Sequence, residues 1–472
     1  MVEGNTVHIP VTWEADHNYD AEYPQRGLYV FTAVLGEGYF AAEGIDLPRI
    51  TIYIPQSAGL MMARMAGSGS TDSPLEITTA AQLAEIATLV NAGRLESFIL
   101  NNAPNAKVNL KLMKDIDLSA YSSGEGWISI GTWDNRFKGI FDGNGHVISG
   151  LYINRNASFQ GLFGYVSGGT IQNLGLINIE IKGTQNVGGI AGYIVDGTVQ
   201  NCYTTGSVGN TTNGGFRYLG GVVGYSASGA TVKNCYSTGS VSGTVSGSTI
   251  GTYVGGVVGY LSSSSSSTST VQNCVALNSS ISGTAGDFGR VVGIDYGTLS
   301  NNYAFSGMKV NGSTVITDDP SSNDGKLLDR DHIVSADYSD GLFDSESWTV
   351  VPDKLPVLNG LAGQDGTLPF HIRGSFEGEG TSANPYLIKT AADLAKLAEL
   401  VNAGNTDYND KHYKLVNNID LSAYGEDYND GEGWTPIGKY NISESDYSKV
   451  FKGIFNGNGK VITGLYINRN SQ

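Results

Sequence analysis

A short glycine-centred repeat constrains the fold of this 472-residue chain more than any other feature. A Gly-x-x-Gly element recurs at intervals of 28, 32, 35 and 34 residues, with arginine replacing the first glycine in its last occurrence. Periods of this size are typical of stacked units that bury their apolar faces only against neighbouring units. The sequence therefore predicts an all-β chain whose main architecture is a parallel β-solenoid (β-helix). The repeats are GLFGY from Gly161, GIAGY from Gly189, GVVGY from Gly221, GVVGY from Gly256 and RVVGI from Arg290.

Equal positions in successive coils should form columns, because parallel coils stack about 4.8 Å apart. One column consists of asparagines: Asn173, Asn201, Asn234, Asn273 and Asn301. Stacked amides can hydrogen-bond along the axis, so we interpret this column as a structural ladder, with ligand binding as the alternative. The two glycines of each repeat are expected to provide positive φ and close backbone approach at a tight corner.

The next column contains the three cysteines of the chain. It consists of Leu174, Cys202, Cys235 and Cys274. Leucine in one coil indicates an interior apolar position, where free cysteine behaves as a small hydrophobic residue. A disulfide between adjacent coils is the alternative, although parallel side-chain directions disfavour it. A metal site is not predicted, since no histidine is nearby to complete a ligand set.

Tyrosines form two further columns. The first is Tyr165, Tyr193, Tyr225 and Tyr260, with Ile294 in the last coil, and the second is Tyr203, Tyr236 and Tyr303. Tyrosines at coil spacing can simply seal the wall of a solenoid. If the first column faces outward, it offers a flat aromatic platform for stacking on sugar rings. Those four tyrosines are therefore the candidate ligand-binding residues.

A longer pattern occurs twice, at residues 74–156 and 385–470. Each copy begins with an N-cap threonine, Thr79 or Thr390, followed by an apolar stripe at helical spacing, and Gln82 completes a capping box in the first copy. The predicted helix over 79–92 should cap strand edges that would otherwise recruit other chains. The strings FDGNGH and FNGNGK in the two copies favour type I′ hairpin turns.

The glycine repeats resemble the GLUG motif, which occurs in bacterial surface adhesins and in IgA-cleaving peptidases. Near the N-terminus, VTWEADHNYD, GLYVFTAVL and ITIYIP alternate apolar and polar residues, and they resemble the later part of a bacterial Ig-like domain, which implies a small β-sandwich. The predicted organisation follows: a partial Ig-like domain at 1–55, a linker at 56–73, a solenoid at 74–312 with GLUG-type repeats at 161–310, a closing module at 313–375, and the start of a second, truncated solenoid unit at 376–472.

Charge excludes several classes of partner. The net charge of −17 and the pI near 4.7 oppose binding to nucleic acid and to anionic membrane surfaces, and no apolar run is long enough for a membrane span. No cofactor is predicted. Calcium binding by the acidic clusters Asp318-Asp319, Asn323-Asp324 and Asp427 to Glu432 is a minor alternative, because these clusters lack regular ligand spacing.

Catalytic patterns are missing from the sequence. The charged residues of the coils, such as Glu180, Asp196 and Asp287, do not recur in register, and none of the six histidines begins a His-Glu-x-x-His zinc motif. We therefore expect a monomeric, non-catalytic adhesion or display module on the bacterial cell surface, with a glycan or a host surface protein as ligand.

Two other functions stay open. One is an accessory region of a secreted enzyme, either a GLUG-containing peptidase or a polysaccharide-acting β-helix. The other is ice or crystal binding by an outward threonine column, formed by Thr170, Thr198, Thr231, Thr270 and Thr298.

Overall fold

The computed structural model divides the chain into two compact units, Met1–Ala66 and Gly67–Gln472. Only part of each unit is described below. The described residues are 11–15, 27–35, 49–54, 65–95, 107–211, 216–244, 251–335, 342–343, 345–352, 354–359, 366–374, 376–425, 428–429, 431–439 and 447–469.

The N-terminal unit contains three antiparallel strands in the order β1-β2-β3. These are the three segments whose alternation predicted strands, and their Ig-like assignment stays a prediction. Leu60, Met61 and Met62 of the predicted linker lie outside the described residues. The bounds are β1 (Val11–Ala15), β2 (Gly27–Leu35) and β3 (Arg49–Ile54).

The second unit begins with the first copy of the long pattern. The helix predicted over 79–92 is α1, whose N-cap Thr79 and third residue Gln82 form the expected capping box. All strand pairs of this copy are parallel, and β4 lies at the outer edge of the stack. The elements are β4 (Leu75–Ile77), α1 (Ala80–Asn91), β5 (Asn109–Leu112), β6 (Ile116–Asp117), a 3₁₀ turn (Ser119–Tyr121), β7 (Ile140–Asp142), β8 (Val147–Ser149) and β9 (Tyr152–Asn154).

The glycine repeats continue the stack, which confirms the predicted parallel β-solenoid. Each of the first four coils contributes one strand or more to each of three sheets that run along the axis, and the last coil contributes to two of them. The strands of the coils are β10 (Phe163–Ser167), β11 (Thr170–Gly183), β12 (Val187–Gly188), β13 (Ala191–Val195), β14 (Thr198–Asn210), β15 (Arg217–Gly220), β16 (Val223–Ala227), β17 (Thr231–Lys233), β18 (Tyr236–Ser237), β19 (Ser240–Gly243), β20 (Thr252–Gly255), β21 (Val258–Leu261), β22 (Thr270–Gln272), β23 (Val275–Ala276), β24 (Ser280–Gly283), β25 (Gly286–Gly289), β26 (Val292–Asp295), β27 (Thr298–Ser300), β28 (Tyr303–Phe305) and β29 (Lys309–Val310).

The glycines of the Gly-x-x-Gly element are needed because neighbouring backbones are crowded there, and not because their own φ angles are positive. None of them has positive φ, so that part of the prediction is wrong. A Cβ on Gly221 would lie 2.2 Å from the carbonyl oxygen of Gly256 in the next coil, and one on Gly189 would lie 2.5 Å from the carbonyl oxygen of Gly221. The backbones of adjacent coils therefore approach too closely at this corner for any side chain.

Positive φ occurs instead at the asparagine column. Asn173, Asn201, Asn234, Asn273 and Asn301 all have φ of 52° or 53°, the left-handed region that asparagine tolerates better than most residues. Each side-chain amide donates to the residue one coil earlier, over 2.9–3.1 Å, and the series ends with Asn173 donating to Asp142. One residue type thus supplies both the corner and the axial hydrogen bonds.

The interior is apolar and closely packed. Leu174, Cys202, Cys235 and Cys274 are fully buried, and the cysteines are free thiols, so the disulfide alternative is wrong. Burial raises the pKa of the Cys235 and Cys274 thiols well above the usual value. These cysteines serve as small core residues.

The segment after the coils packs on the end and one side of the solenoid. Tyr236 donates to the carbonyl oxygen of Pro356 at 2.8 Å, and Trp348 packs against Tyr236 and Tyr203 with ring centroids 5.6 and 6.3 Å apart. This segment therefore covers part of the second tyrosine column. Its elements are β30 (Ser313–Thr314), β31 (Lys326–Leu328), α2 (Arg330–Ser335), β32 (Trp348–Thr349), β33 (Val357–Leu358) and α3 (Phe370–Arg373).

The second copy of the long pattern forms its own small core. The helix α4 buries Leu394, Leu397 and Val401 against Ile388 and Leu415 of the strands, as an end cap requires. Asp393 completes its capping box as Gln82 does for α1. The elements are β34 (Tyr386–Ile388), α4 (Ala391–Asn402), β35 (His412–Leu415), β36 (Ile419–Asp420), a 3₁₀ turn (Ser422–Tyr424), β37 (Ile454–Asn456) and β38 (Ile462–Thr463).

The predicted Asn-Gly turns form, but they do not make hairpins. Asn144 and Gly145 have φ of 54° and 80°, and His146 donates its backbone N–H to the carbonyl oxygen of Gly143 at 2.8 Å. The flanking strands β7 and β8 pair with different parts of β11 and not with each other. The turn is therefore a solenoid corner.

Candidate functional site

A continuous row of aromatic rings runs along the solenoid wall, and we call it the aromatic strip. Four of its members are the predicted tyrosines, which pair in register across β10, β13, β16 and β21. Neighbouring rings in the strip have centroids 4.6 to 6.3 Å apart. The strip consists of Trp133, Phe159, Tyr165, Tyr193, Phe216, Tyr218, Tyr225, Tyr253, Tyr260 and Tyr296.

Strand alternation turns these tyrosines toward the outside of the wall. The residue after each tyrosine is fully buried, so the tyrosine side chain lies on the opposite face of its strand. Tyr193, Tyr225 and Tyr260 are half-buried as a result. The buried residues that follow the four tyrosines are Val166, Ile194, Ser226 and Leu261.

Tyr165 differs from the other three predicted tyrosines. Only 4% of it is exposed, because Trp133 and Phe159 pack on it with centroids 5.6 Å away. The Arg136 guanidinium also lies 4.8 Å from its ring centroid, within cation–π distance. In this structure Tyr165 supports the outer rings and does not present a surface of its own.

The rings do not form the flat platform that the sequence predicts. Tyr225 and Tyr260 stack with their planes 18° apart and their centroids at 4.6 Å, so each covers a face of the other. Tyr165 and Tyr193 instead meet edge to face at 69°. Close axial spacing is the cause, since coils about 4.8 Å apart hold successive rings in mutual contact. Along the middle of the strip, ring edges and hydroxyl groups are what remain for solvent or a ligand.

Open ring faces are concentrated at the margins of the strip. Trp133 is 56% exposed at one end, Tyr296 is 61% exposed at the other, and Phe216 is 51% exposed at the side. These three rings have the area needed to stack on a ligand ring. The strip therefore combines a row of phenolic hydroxyls with open aromatic faces at its margins.

Three phenols of the strip are held in their neutral form. Burial raises the pKa of Tyr218 and Tyr260 to about 12, and it raises the pKa of Tyr193 further still. The contribution of neighbouring phenols to these pKa values has the same sign, because one phenolate would repel the next. At physiological pH these three phenols can therefore donate and accept hydrogen bonds.

Six members of the strip escaped the sequence prediction. Tyr218 and Tyr253 each stand three residues before a Gly-x-x-Gly element, a signal that FRYLGGVVGY and GTYVGGVVGY do carry. Phe159 has φ of 63°, a conformation that bulky residues rarely adopt, so the sequence gives no reason to expect it there. Trp133, Phe216 and Tyr296 lie outside the repeat, and no spacing in the sequence marks them.

The threonine column forms a narrow outward line on another sheet. The column consists of Thr170, Thr198, Thr231, Thr270 and Thr298, which pair in register, and each is followed by a buried residue.

The acidic clusters hold local backbone groups. Asp318 accepts from the N–H of Leu327 at 2.8 Å, and Asp319 accepts from the N–H of Ser321 at 2.9 Å. Asp427 lies outside the described residues. Within the described ranges, no group of three or more His, Cys, Asp or Glu residues is placed to hold a metal ion.

Two charged residues of the coils have local structural contacts. Glu180 forms an ion pair with Lys182 at 3.4 Å, and Asp295 accepts from the N–H of Gly297 at 2.7 Å.

No helix in the described part of the chain is long and apolar enough to cross a membrane.

Comparison with known proteins bears on the coil that carries Tyr218 and Tyr225. The sequence pattern of the GLUG motif matches residues 217–242. The chain carries the GLUG motif. The match spans one coil, from β15 through β19, and the other coils share its register.

Two relatives share longer stretches with this GLUG-motif chain. A protein of Evansella cellulosilytica named "Putative Gly-rich membrane protein" is 45% identical over 92 residues, which is 20% of this chain and 9% of that protein. Halomucin of Haloquadratum walsbyi is 35% identical over 106 residues, which is 22% of this chain and 1% of halomucin. The chain therefore spans only a small part of the length of either relative.

Two solved structures are similar to parts of the chain. A structure described as a "putative immunoglobulin A1 protease from Bacteroides ovatus" matches with a TM-score of 0.44 and 22% identity, over 62% of this chain and 94% of that one. A structure named "IgA1 Protease" matches with a TM-score of 0.36 and 16% identity, over 68% of this chain and 25% of that one. Similarity at this level does not bear on activity.

Proposed function

We propose that this chain is a non-catalytic, extracellular adhesion and display module of a bacterial cell surface, and that the aromatic strip is its ligand-binding surface. The observation that carries the proposal is the strip itself: ten aromatic residues in continuous contact on the outer wall of a solenoid. Exposed aromatic surface has a cost in water, so a long row of rings on an acidic protein favours a binding role.

A glycan is the ligand that this chemistry suits best. Sugar rings present C–H faces that pack on open aromatic faces such as Trp133 and Tyr296, while their hydroxyls can hydrogen-bond to a row of neutral phenols. A linear glycan lying along the axis would meet the hydroxyls of Tyr193, Tyr225 and Tyr260 in successive coils. The surface-type names of the two relatives support an extracellular location.

The experiment is a glycan array followed by an assay for new reducing ends on each glycan that binds. We expect binding without cleavage. Appearance of new reducing ends would contradict the non-catalytic proposal and favour the polysaccharide-acting alternative. Absence of binding to every glycan on the array would remove glycans as the ligand class.

Variants of the exposed rings test whether the strip is the surface that binds. We expect Trp133→Ala and Tyr296→Ala each to weaken binding of an array hit about tenfold, because each removes an open stacking face. The matched control is Tyr447→Ala, which removes a ring that is 58% exposed but lies outside the strip. If all three variants bound the glycan as tightly as the wild type, the glycan would bind elsewhere.

A further inference from the structure

The aromatic strip has a cation at one end. The guanidinium carbon of Arg136 lies 5.5 Å from the ring centroid of Trp133 and 4.8 Å from that of Tyr165. Its Nε donates to the backbone carbonyl oxygen of Trp133 at 3.1 Å, which holds the guanidinium beside the indole. Trp133 is the open ring at this end of the strip, at 56% exposed. The cation therefore lies next to a surface on which a ligand ring can stack.

The terminal nitrogens of Arg136 are available to a ligand. Within the described ranges they form no hydrogen bond, and no ion pair links them to a carboxylate, including that of Asp134 two residues earlier. Arg155, which is also partly buried, is instead paired with Glu125 at 2.7 Å. An unpaired guanidinium presents two parallel N–H bonds, and the two oxygens of a carboxylate match that fork.

The other end of the strip carries a negative charge. Tyr218, Tyr253 and Asp287 pair in register in successive coils, so Asp287 continues the tyrosine column where its rings end. Asp287 is exposed, and its carboxylate has no partner within the part of the chain that the structure describes. About four coil spacings, or about 19 Å, separate this aspartate from the coil of Tyr165 along the axis. The strip thus has opposite charges at its two ends.

The net charge of −17 does not prevent an anion from binding at Arg136. Charges elsewhere on the surface are screened beyond about 8 Å at physiological ionic strength, so a group in contact with the guanidinium responds first to that cation. The net charge does oppose a ligand with a carboxylate on every residue, and Asp287 would repel such a ligand at the far end. This pattern of charge favours a ligand with a single carboxylate, located at one end.

We propose that the strip binds a linear glycan whose terminal residue is an acidic sugar, with that residue at Trp133 and neutral sugars extending toward Asp287. The terminal sugar ring packs on the indole, and its carboxylate accepts hydrogen bonds from both terminal nitrogens of Arg136. The neutral sugars that follow meet the outward phenols of successive coils. The proposal rests on the glycan-binding function above, and it adds the class of the ligand and its direction.

The test is titration calorimetry of the full chain with matched glycans. Two of them end in glucuronic acid or in sialic acid, and each has a partner whose carboxylate is reduced to an alcohol. We expect at least one acidic glycan to bind about tenfold or more tightly than its reduced partner, because reduction removes a charge-assisted bidentate pair. A glycan of the same length with glucuronic acid at every position should bind more weakly than the glycan that ends in one.

Variants locate the carboxylate. In Arg136→Gln the ratio of the two affinities, acidic glycan to reduced glycan, should fall to about one. In Arg136→Lys it should be intermediate, because an ammonium keeps the charge but not the fork. Lys309→Gln is the control for loss of a positive charge, since Lys309 is exposed on a sheet outside the strip and the ratio should not change. Reduction of the glycan needs no variant, so it decides the question even if Arg136→Gln fails to fold.

The variant Asp287→Asn tests the direction of the ligand. It should strengthen binding of the glycan that is acidic throughout, because it removes a repulsion at the far end. It should leave the ratio for the singly acidic glycan unchanged. Tighter wild-type binding of the glycan that is acidic throughout would contradict the assigned direction.

Failure of this proposal differs from failure of the proposed function. If acidic and reduced glycans bound the wild type equally, or if the ratio persisted in Arg136→Gln, the acidic-sugar assignment would be overturned while glycan binding stood. If none of the glycans bound, or if Trp133→Ala bound all of them as the wild type does, glycan binding by the strip would be overturned as well.

Discussion

At the scale of single residues, the corner asparagines combine two properties that the solenoid needs. Each holds a left-handed backbone conformation that costs most residues about 1–2 kcal/mol, and each extends a hydrogen-bonded chain along the axis. Glycine could adopt the corner without the side-chain bonds. Other side chains would lose at least one of the two.

Substitutions at Asn273 separate these two contributions. We expect Asn273→Ala to lower the free energy of unfolding by about 2–4 kcal/mol, because it strains the corner and removes one bond to Asn234 and one from Asn301. Asn273→Gly should cost about 1–2 kcal/mol less, because glycine relieves the strain. Denaturant unfolding is the measurement, with the outward Gln272→Ala as control. Glycine proving as costly as alanine would contradict the left-handed corner.

The tyrosines of the strip should make stability sensitive to alkaline pH. Their pKa values are raised on folding, from 10 to about 12 for Tyr218 and Tyr260, so the folded state favours the neutral phenol. Stability from this source is fully present below the unfolded pKa near 10 and is lost as pH rises toward 12.

A double variant isolates that effect. Between about pH 9 and about pH 11, the unfolding midpoint of the wild type should fall more than that of the Tyr218→Phe, Tyr260→Phe variant, which lacks both phenols. Unfolding midpoints at several pH values across this window supply the comparison. Parallel pH profiles for the two proteins would show that the two phenols are not stabilised in their neutral form.

At the scale of the coil, backbone crowding at the Gly-x-x-Gly corner sets which residues the repeat can contain. Arg290 stands where earlier coils have glycine, and the next segment differs there: Arg290 donates to the carbonyl oxygen of Gly325 at 3.1 Å, and Asn323 accepts from the N–H of Val291 at 2.9 Å. The first glycine of the repeat is therefore replaced in the last coil, where the segment that follows is not another coil.

Gly221→Ala tests the crowding directly. A methyl group there must displace both the carbonyl oxygen of Gly256 and the side chain of Ser237, so we expect a loss of about 1–3 kcal/mol in unfolding free energy. Gly457→Ala is the matched control, because a Cβ there meets no atom within 4 Å and its φ is not positive. Thermal unfolding of both variants decides the matter, and equal stability would mean that the coils are not in close contact at this corner.

The sequence predicts these coils well because a repeat presents the same local problem several times. Asn173 and Asn201 could be placed in one column, and Thr79 at a helix start, from spacing alone. Spacing could not show that Tyr165 would be buried, since its cover comes from Trp133 and Phe159 in segments outside the repeat. It also could not show that axial stacking would close the tyrosine faces, because that depends on ring angles.

At the scale of the whole molecule, the long pattern occurs twice, at residues 74–156 and 385–470. In the first copy, β11 covers the apolar edge, where Ile148 and Leu151 are fully buried. The first solenoid displays the aromatic strip along its side. That surface depends on coils stacked in register.

Register can be measured between nitroxide labels on the outward threonine column. Thr170→Cys and Thr298→Cys lie four coils apart in paired positions, and the native cysteines are buried and should not react. Pulsed electron paramagnetic resonance should give a narrow distance distribution centred near about 19 Å, four times the coil spacing. A broad distribution, or one centred far from that value, would contradict the stacked solenoid and the aromatic strip that depends on it.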